Sequence, residues 1–306
     1  MEDNADIEKQ TPNQIKQKVN DEYNEKPNGG AKTPLIIGGL AIVLIIIFII
    51  VIVVFFIIGN NPQMHEIAVV NNCSQGINVM VGTEVKNKPS GEFFGPNKVN
   101  PGETAYYYAT PGVYLVVKGY YDNGEEMPIP MTKALIWFND DEYNGPTQIS
   151  YNGNIMNVER VAVNGKEDKY DISMREGFNI EMGIVSTNFN NKNSEDPFSC
   201  GGPTWYYNIG ENMCPNELRY IGNEYEGCRS ACSVYYSDVD GKKYCCLGTG
   251  TCGITGGCQN EWPVDRYYRV FNDACPNCMI TNCDKPSYYC ESSGGLSQYV
   301  ITFCPT

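Results

Sequence analysis

The sequence predicts an all-β, disulfide-rich domain preceded by one transmembrane helix. Three observations predict it. An uncharged apolar run occupies residues 34–58. All 14 cysteines follow that run, the first being Cys73. The rest of the chain reads as short runs of strand-forming residues separated by turn sequences such as Asp122-Asn123-Gly124, Asn152-Gly153 and Asn164-Gly165.

The apolar run, PLIIGGLAIVLIIIFIIVIVVFFII, suffices to cross a hydrocarbon core of about 30 Å at about 1.5 Å per helical residue. Its β-branched residues do not oppose a helix, because lipid forces the backbone to satisfy its own hydrogen bonds. A cleaved signal peptide would be shorter and end at small residues, and neither holds. Lys18, Lys26 and Lys32 precede the run, and no Lys or Arg follows it until Lys86. The positive-inside rule then places residues 1–33 in the cytosol and the C-terminal domain outside the cell or in a lumen, as a single-pass type II signal anchor. The cysteines agree independently, since disulfides persist in oxidising compartments. Residues 1–33 are polar, carry both charge signs and lack apolar periodicity, as a disordered cytosolic tail does.

The chain is acidic, with a formal net charge of -14, which excludes the basic face that nucleic-acid binding needs. Strands are predicted at 66–70, 76–81, 104–109, 113–118, 134–138, 148–151, 155–163 and 298–303. Many short strands with frequent turns indicate a sandwich or flattened barrel. From about Cys200 cysteines become dense and strands sparse. The 65–306 region thus divides into a β core over 65–190, a stapled loop lobe over 200–297 with a short helix at 264–272, and a last core strand at 298–304.

Some chemistry is excluded early. His65 is the only histidine; it is placed at the membrane surface, far in sequence from a Ser, Cys or Asp partner, so a histidine-dependent nucleophile is not expected. The glycine-rich 248–257 stretch lacks the Lys-Ser/Thr of a phosphate loop. Cys275-Pro276-Asn277-Cys278 has zinc-ligand or redox spacing, but no second pair and no βαβ pattern accompany it. No metal and no cofactor is expected. Asn72-Cys73-Ser74 is formally an N-glycosylation acceptor with a cysteine at its centre.

Several motifs, in order, carry a resemblance. Val70-Asn71-Asn72-Cys73-Ser74 opens it. Tyr170-Asp171-Ile172-Ser173 and Gly177-Phe178-Asn179-Ile180-Glu181-Met182 follow. Then come Cys228-Arg229-Ser230-Ala231-Cys232, Tyr244-Cys245-Cys246, Cys252-Gly253, the FNDACP of 271–276, and the ending Tyr299 to Pro305. Together they resemble the thaumatin-like family over about 66–306. The resemblance implies a β-sandwich core, a disulfide-rich second lobe and an acidic cleft between them. It implies the pairs Cys73–Cys304, Cys214–Cys228, Cys232–Cys245 and Cys246–Cys252. Cys200, Cys258, Cys275, Cys278, Cys283 and Cys290 are left with many connectivities.

The resemblance places Glu159, Asp171, Glu176 and Asp284 in the cleft. No arginine stands where the family has one, so the cleft is expected to be more purely anionic. For Glu159 to face Asp171 across a hairpin at Asn164-Gly165, the loop must have an odd length; a two-residue turn would pair Glu159 with Tyr170 and send Asp171 to the other face. Three functions remain in contention. One is an acidic, Tyr-rich cleft that binds a β-glucan-like polysaccharide or a protein surface, in defence or surface recognition. The second is a weak endo-β-1,3-glucanase using Glu159 and Asp171 as its carboxyl pair. The third is a structural or receptor head without a glycan ligand. Binding is favoured over catalysis.

Overall fold

The computed structural model describes residues 45–50, 64–84, 91–122, 130–139, 143–161, 166–189, 192–205, 214–221, 226–235, 266–281, 284–291 and 296–306. The chain divides into Met1–Asn61 and Pro62–Thr306. In the first unit, residues 45–50 are helical, with the apolar side chains from Ile45 to Ile50 exposed. The 1–33 tail and the rest of the predicted 34–58 span lie outside the described residues. Among the described residues no helix is long and apolar enough to cross a membrane.

The second unit is an all-β sandwich. Its strands are β1 His65–Asn71, β2 Ile77–Thr83, β3 Glu92–Val99, β4 Thr104–Ala109, β5 Tyr114–Tyr121, β6 Lys133–Trp137, β7 Gln148–Tyr151 and β8 Asn154–Asn157. There follow β9 Asp168–Ser173, β10 Gly177–Phe178, β11 Met182–Ser186, β12 Thr204–Trp205, β13 Arg219–Ile221, β14 Glu226–Arg229, β15 Tyr288–Cys290 and β16 Gln298–Phe303. A seven-stranded sheet has the order β12-β11-β16-β1-β4-β7-β8, and a six-stranded sheet the order β15-β9-β6-β5-β2-β3. A small sheet, β10-β14-β13, belongs to the second lobe.

The period-2 pattern of each strand decides which face is core. On β1, Ile67 and Val69 are fully buried while Glu66, Ala68 and Val70 are half-buried. β16 pairs parallel to β1 with Ile67 opposite Tyr299 and Val69 opposite Ile301, so both strands turn the same parity inward. Ile77, Val79 and Val81 of β2 and Leu115 and Val117 of β5 close the core from the other sheet. β5 is unusual in being buried on both faces. Its outer residue Val116 packs with Leu135 and Met279 in a second apolar cluster, under the segment that precedes β15. Gly119 on β5 is required by a close approach: a Cβ there would lie 2.8 Å from the Phe303 ring.

The predictions for β4, β7 and β16 coincide with the strands, and those for β1, β2, β5 and β6 differ by a few residues. The predicted 155–163 strand is a correction. β8 ends at Asn157, after which Val158 N–H donates to Thr147 O and Val161 N–H to Gly112 O, so the backbone leaves the ladder. β3 was not foreseen because Gly95-Pro96 interrupts it; a proline fits because β3 is an edge strand, and β2 bulges between Val79 and Val81 to keep register. The helix lies at Arg266–Ala274.

Four disulfides are described: Cys73–Cys304, Cys200–Cys290, Cys214–Cys228 and Cys275–Cys278. The first and third are the pairs implied by the resemblance. The second and fourth resolve four of the six cysteines left open, and the zinc-like Cys275/Cys278 spacing is a closed bridge. Cys232 is also disulfide-bonded; Cys245, Cys246, Cys252, Cys258 and Cys283 lie outside the described residues. Cys73–Cys304 ties the ends of β1 and β16 across 231 residues of sequence, worth about 5 kcal/mol in the chain-entropy account.

Candidate functional site: a charge-mixed cleft on the six-stranded sheet

The side chains of β6 alternate: Ala134 and Ile136 enter the sandwich core, while Lys133 and Leu135 face outward under the second lobe. On β9, Tyr170 and Ile172 belong to the core, which sends Asp171 and Ser173 to the outer face. A cavity of about 310 Å³ opens there, lined by Glu84, Tyr114, Lys133, Leu135, Ser173, Arg175, Glu176, Ser230, Cys232 and Ser233. Glu84 directly follows β2. Arg175 and Glu176 form the turn into β10, where Gly177 adopts φ 125° and packs so tightly on Cys228 O that no side chain fits. Ser230 N–H donates to Glu176 O, which fixes that turn against the start of the short helix Ala231–Tyr235.

Lys133 organises the acids. Its Nζ donates to Glu84 Oε1 and to Glu176 Oε1, each at 2.7 Å. Its side chain is 6 % exposed, against 34 % for Glu84 and 53 % for Glu176. Burial pushes the Lys133 pKa down, but the two carboxylates outweigh it and the net shift is upward. Lys118 lies 3.7 Å from Glu84 and 4.1 Å above the Phe93 ring; burial, and then repulsion from Lys133, hold its pKa below the usual lysine value.

Arg175 forms the second node. Its Nε donates to Thr281 O at 2.8 Å and its Nη2 to Asp284 O at 2.5 Å. The Asp284 carboxylate accepts the N–H groups of Ile280 and Thr281, which shapes its own loop. Asp171 is fully buried and accepts N–H groups from Ile172 at 2.7 Å and Ser287 at 2.9 Å. Burial raises its pKa to about 7, with a smaller contribution from Asp284.

The structure thus sets Glu176 on Lys133 in the cavity wall and Asp171 and Asp284 beside Arg175 without lining the cavity, and does not bring Glu159 to them. Glu159 is exposed and follows β8, on the edge of the other sheet. β9 has β6 and β15 as its neighbours, so the hairpin that would have set Glu159 opposite Asp171 does not form. The anionic expectation is corrected too: Lys133 and Arg175 line the cleft beside two glutamates, with Lys118 at Glu84. Glu84, Lys133 and Arg175 went unnoticed in the sequence. A signal was present, because Lys118 and Lys133 sit in apolar strands, and a lysine buried in a sheet demands acidic partners.

The His65 reading needs a similar correction. His65 is buried at the start of β1, stacked on Phe138 at 4.3 Å. Its Nδ1 accepts Ser297 N–H at 2.9 Å, while Ser297 Oγ lies 2.9 Å from the same Nδ1 and donates to Asp168. Asp168 also accepts the Tyr299 hydroxyl and Asn139 N–H. A serine, a histidine and an aspartate do therefore meet. They are not a catalytic triad: the serine hydroxyl points to the aspartate, and all three residues are sealed from solvent. Burial lowers the His65 pKa to about 3 and raises that of Asp168 to about 6.

A disulfide-stapled β-sandwich with a polar cleft between its six-stranded sheet and a second lobe is a defined class of domain, and sequence comparison names it. The thaumatin family model matches residues 152–305. The chain belongs to the thaumatin family. It is 31% identical over 139 residues to pathogenesis-related thaumatin-like protein 3.8 of Cryptomeria japonica, covering 45% of this chain and 49% of that one. It is 31% identical over 139 residues to pathogenesis-related 5 protein Cup a 3 of Hesperocyparis arizonica, covering 45% and 56%. Against thaumatin-like protein 1 of Pyrus pyrifolia it is 32% identical over 147 residues, covering 47% and 52%. The chain spans about half the length of the relatives it matches. Among solved structures it is similar to a thaumatin-like xylanase inhibitor at 12% identity and a TM-score of 0.28, covering 78% of this chain and 99% of the inhibitor.

Proposed function

We propose that this chain is a membrane-anchored, extracytosolic thaumatin-family domain that binds carbohydrate of the β-glucan type through the cleft around Lys133. The observation that carries the reading is the cleft wall, which sets carboxylates, cations, serine hydroxyls and the Tyr114 ring in one cavity. That mixture matches sugar hydroxyls, which both donate and accept, better than it matches a strongly charged ligand. The disulfides support an oxidising compartment, and the apolar 34–58 segment supplies the anchor. The relatives' names, pathogenesis-related proteins, favour a role in defence or surface recognition.

Catalysis draws less support. A general acid must touch its substrate, and Asp171, the carboxyl near the cleft with a raised pKa, is fully buried against backbone N–H groups. The test uses the full chain in detergent on a panel of polysaccharides that includes β-1,3-glucan. Wild type is expected to retain a glucan without releasing reducing ends, and Glu176→Ala to weaken that retention. Release of reducing ends would establish the glucanase instead. No retention across the panel would leave a protein ligand or a structural head.

A further inference from the structure

We infer that Asn72 carries an N-linked glycan, attached before the domain closes. The Asn72-Cys73-Ser74 acceptor forms the turn between β1 and β2. Its two neighbouring asparagines divide the work. Asn71 is buried and holds the turn: its Nδ2 donates to Gln75 O and Val99 O, and its Oδ1 accepts Cys73 N–H. Asn72 and Ser74 are exposed. Only the backbone of Asn72 is engaged, its N–H donating to Phe303 O at 3.1 Å, and its side-chain amide has no partner among the described residues.

The central cysteine looks like an obstacle, because a bridged Cys73 would hold the acceptor rigid. Its partner removes the obstacle. Cys304 lies 231 residues downstream. During synthesis the Cys73–Cys304 bridge cannot form until those 231 further residues have been made. β16, which pairs with β1 and accepts the Asn72 N–H, is equally late. Through that interval Asn72 has neither its β16 partner nor a bridged neighbour at Cys73.

The reaction is a substitution at a sugar carbon. Asn72 Nδ2 bonds to C1 of an oligosaccharide carried on a polyprenyl diphosphate. The C1–O bond to the diphosphate breaks, the polyprenyl diphosphate leaves with the electron pair, and a base of the membrane transferase takes the amide proton. The folded domain tolerates the product. Asn72 lies in the turn that leads into β2 and Glu84 just past the other end of that strand, so about 20 Å of strand lies between glycan and cleft.

This inference rests on the extracytosolic reading, and one experiment separates the two. The full chain is expressed in eukaryotic cells and treated with an amidase that removes N-glycans. Wild type is expected to gain mobility on treatment, and both Asn72→Gln and Ser74→Ala to migrate as deglycosylated wild type without it. A control acceptor is built on the exposed Asn193-Ser194 turn by Glu195→Thr. A glycan on the control but none on wild type overturns the inference and leaves the topology intact. No glycan on either chain overturns both. A shift that persists in Asn72→Gln and in Ser74→Ala also overturns the assignment.

Discussion

Lowering the pH from 8 to 5 should stabilise this domain, and the buried groups say by how much. A carboxyl whose folded pKa is raised binds its proton more tightly in the folded state. Its contribution is complete below the unfolded value of 3.8 and is lost as pH rises through the folded value. Asp168, at about 6, and Asp171, at about 7, both follow this course. His65 runs the other way. Held neutral down to about 3 against an ordinary 6.5, it contributes above pH 6.5, and the contribution is lost as pH falls. Between pH 8 and pH 5 linkage gives the aspartates a joint gain of about 4 kcal/mol and His65 a loss of about 2 kcal/mol. About 2 kcal/mol of net stabilisation remains. Asp122 and Asp196, with lowered pKa values, titrate below this window. The assay is urea unfolding of the full chain in detergent at pH 5, 6, 7 and 8, followed by tryptophan fluorescence. Asp171→Asn supplies the internal control. It removes the larger acid-side gain, so His65 then outweighs Asp168 and the slope reverses to slightly lower stability at pH 5. A wild type that grows more stable from pH 5 to pH 8, or an Asp171→Asn variant with an unchanged slope, would refute the reasoning.

Two further outcomes follow from packing and charge. Glu84→Gln combined with Glu176→Gln strands the buried Lys133 ammonium and is expected to cost about 3–5 kcal/mol. Lys133→Met should cost less, because the glutamates it leaves behind reach water. Denaturation midpoints of the two variants give the order, and the reverse order would mean that Lys133 is not the buried partner. Gly119→Ala drives a Cβ to 2.8 Å from the Phe303 ring and should cost about 1–3 kcal/mol. Adding Phe303→Leu should recover part of that loss in a double-mutant cycle, whereas strictly additive losses would place the strain elsewhere.

How much of this was legible in the sequence depended on whether the signal was local. β4, β7 and β16 announce themselves because each is a short run of strand formers bounded by turns. β3 did not, since Gly95-Pro96 breaks its pattern and only its place at the sheet edge makes the proline acceptable. β9 and β10 entered as motifs rather than as strands. The cleft shows the same division. Asp171, Glu176 and Asp284 were named through motif order, which tracks the chain; of these only Glu176 lines the cavity. Glu84 and Lys133 are 49 positions apart, and nothing in either neighbourhood names the other. Glu159 fails for a topological reason: sequence proximity suggested a hairpin with Asp171, but β8 and β9 belong to different sheets.

That division bears on what the cleft can do. A pair of acids built for glycoside cleavage needs one carboxyl protonated and exposed at the bond to be broken. Here the two requirements fall on different residues. Asp171 has the raised pKa but lies wholly under the surface, its oxygens occupied by backbone N–H groups. Glu84 and Glu176 line the cavity, but Lys133 bridges them, and each commits one carboxylate oxygen to the buried Lys133 ammonium. The same bridge suits binding, because it holds both carboxylates in place before a ligand arrives and leaves their second oxygens as acceptors. Pre-ordered acceptors lower the entropy lost on association. The features that argue against an acid catalyst in this cleft are therefore those that support the proposed binding of a polyhydroxylated ligand.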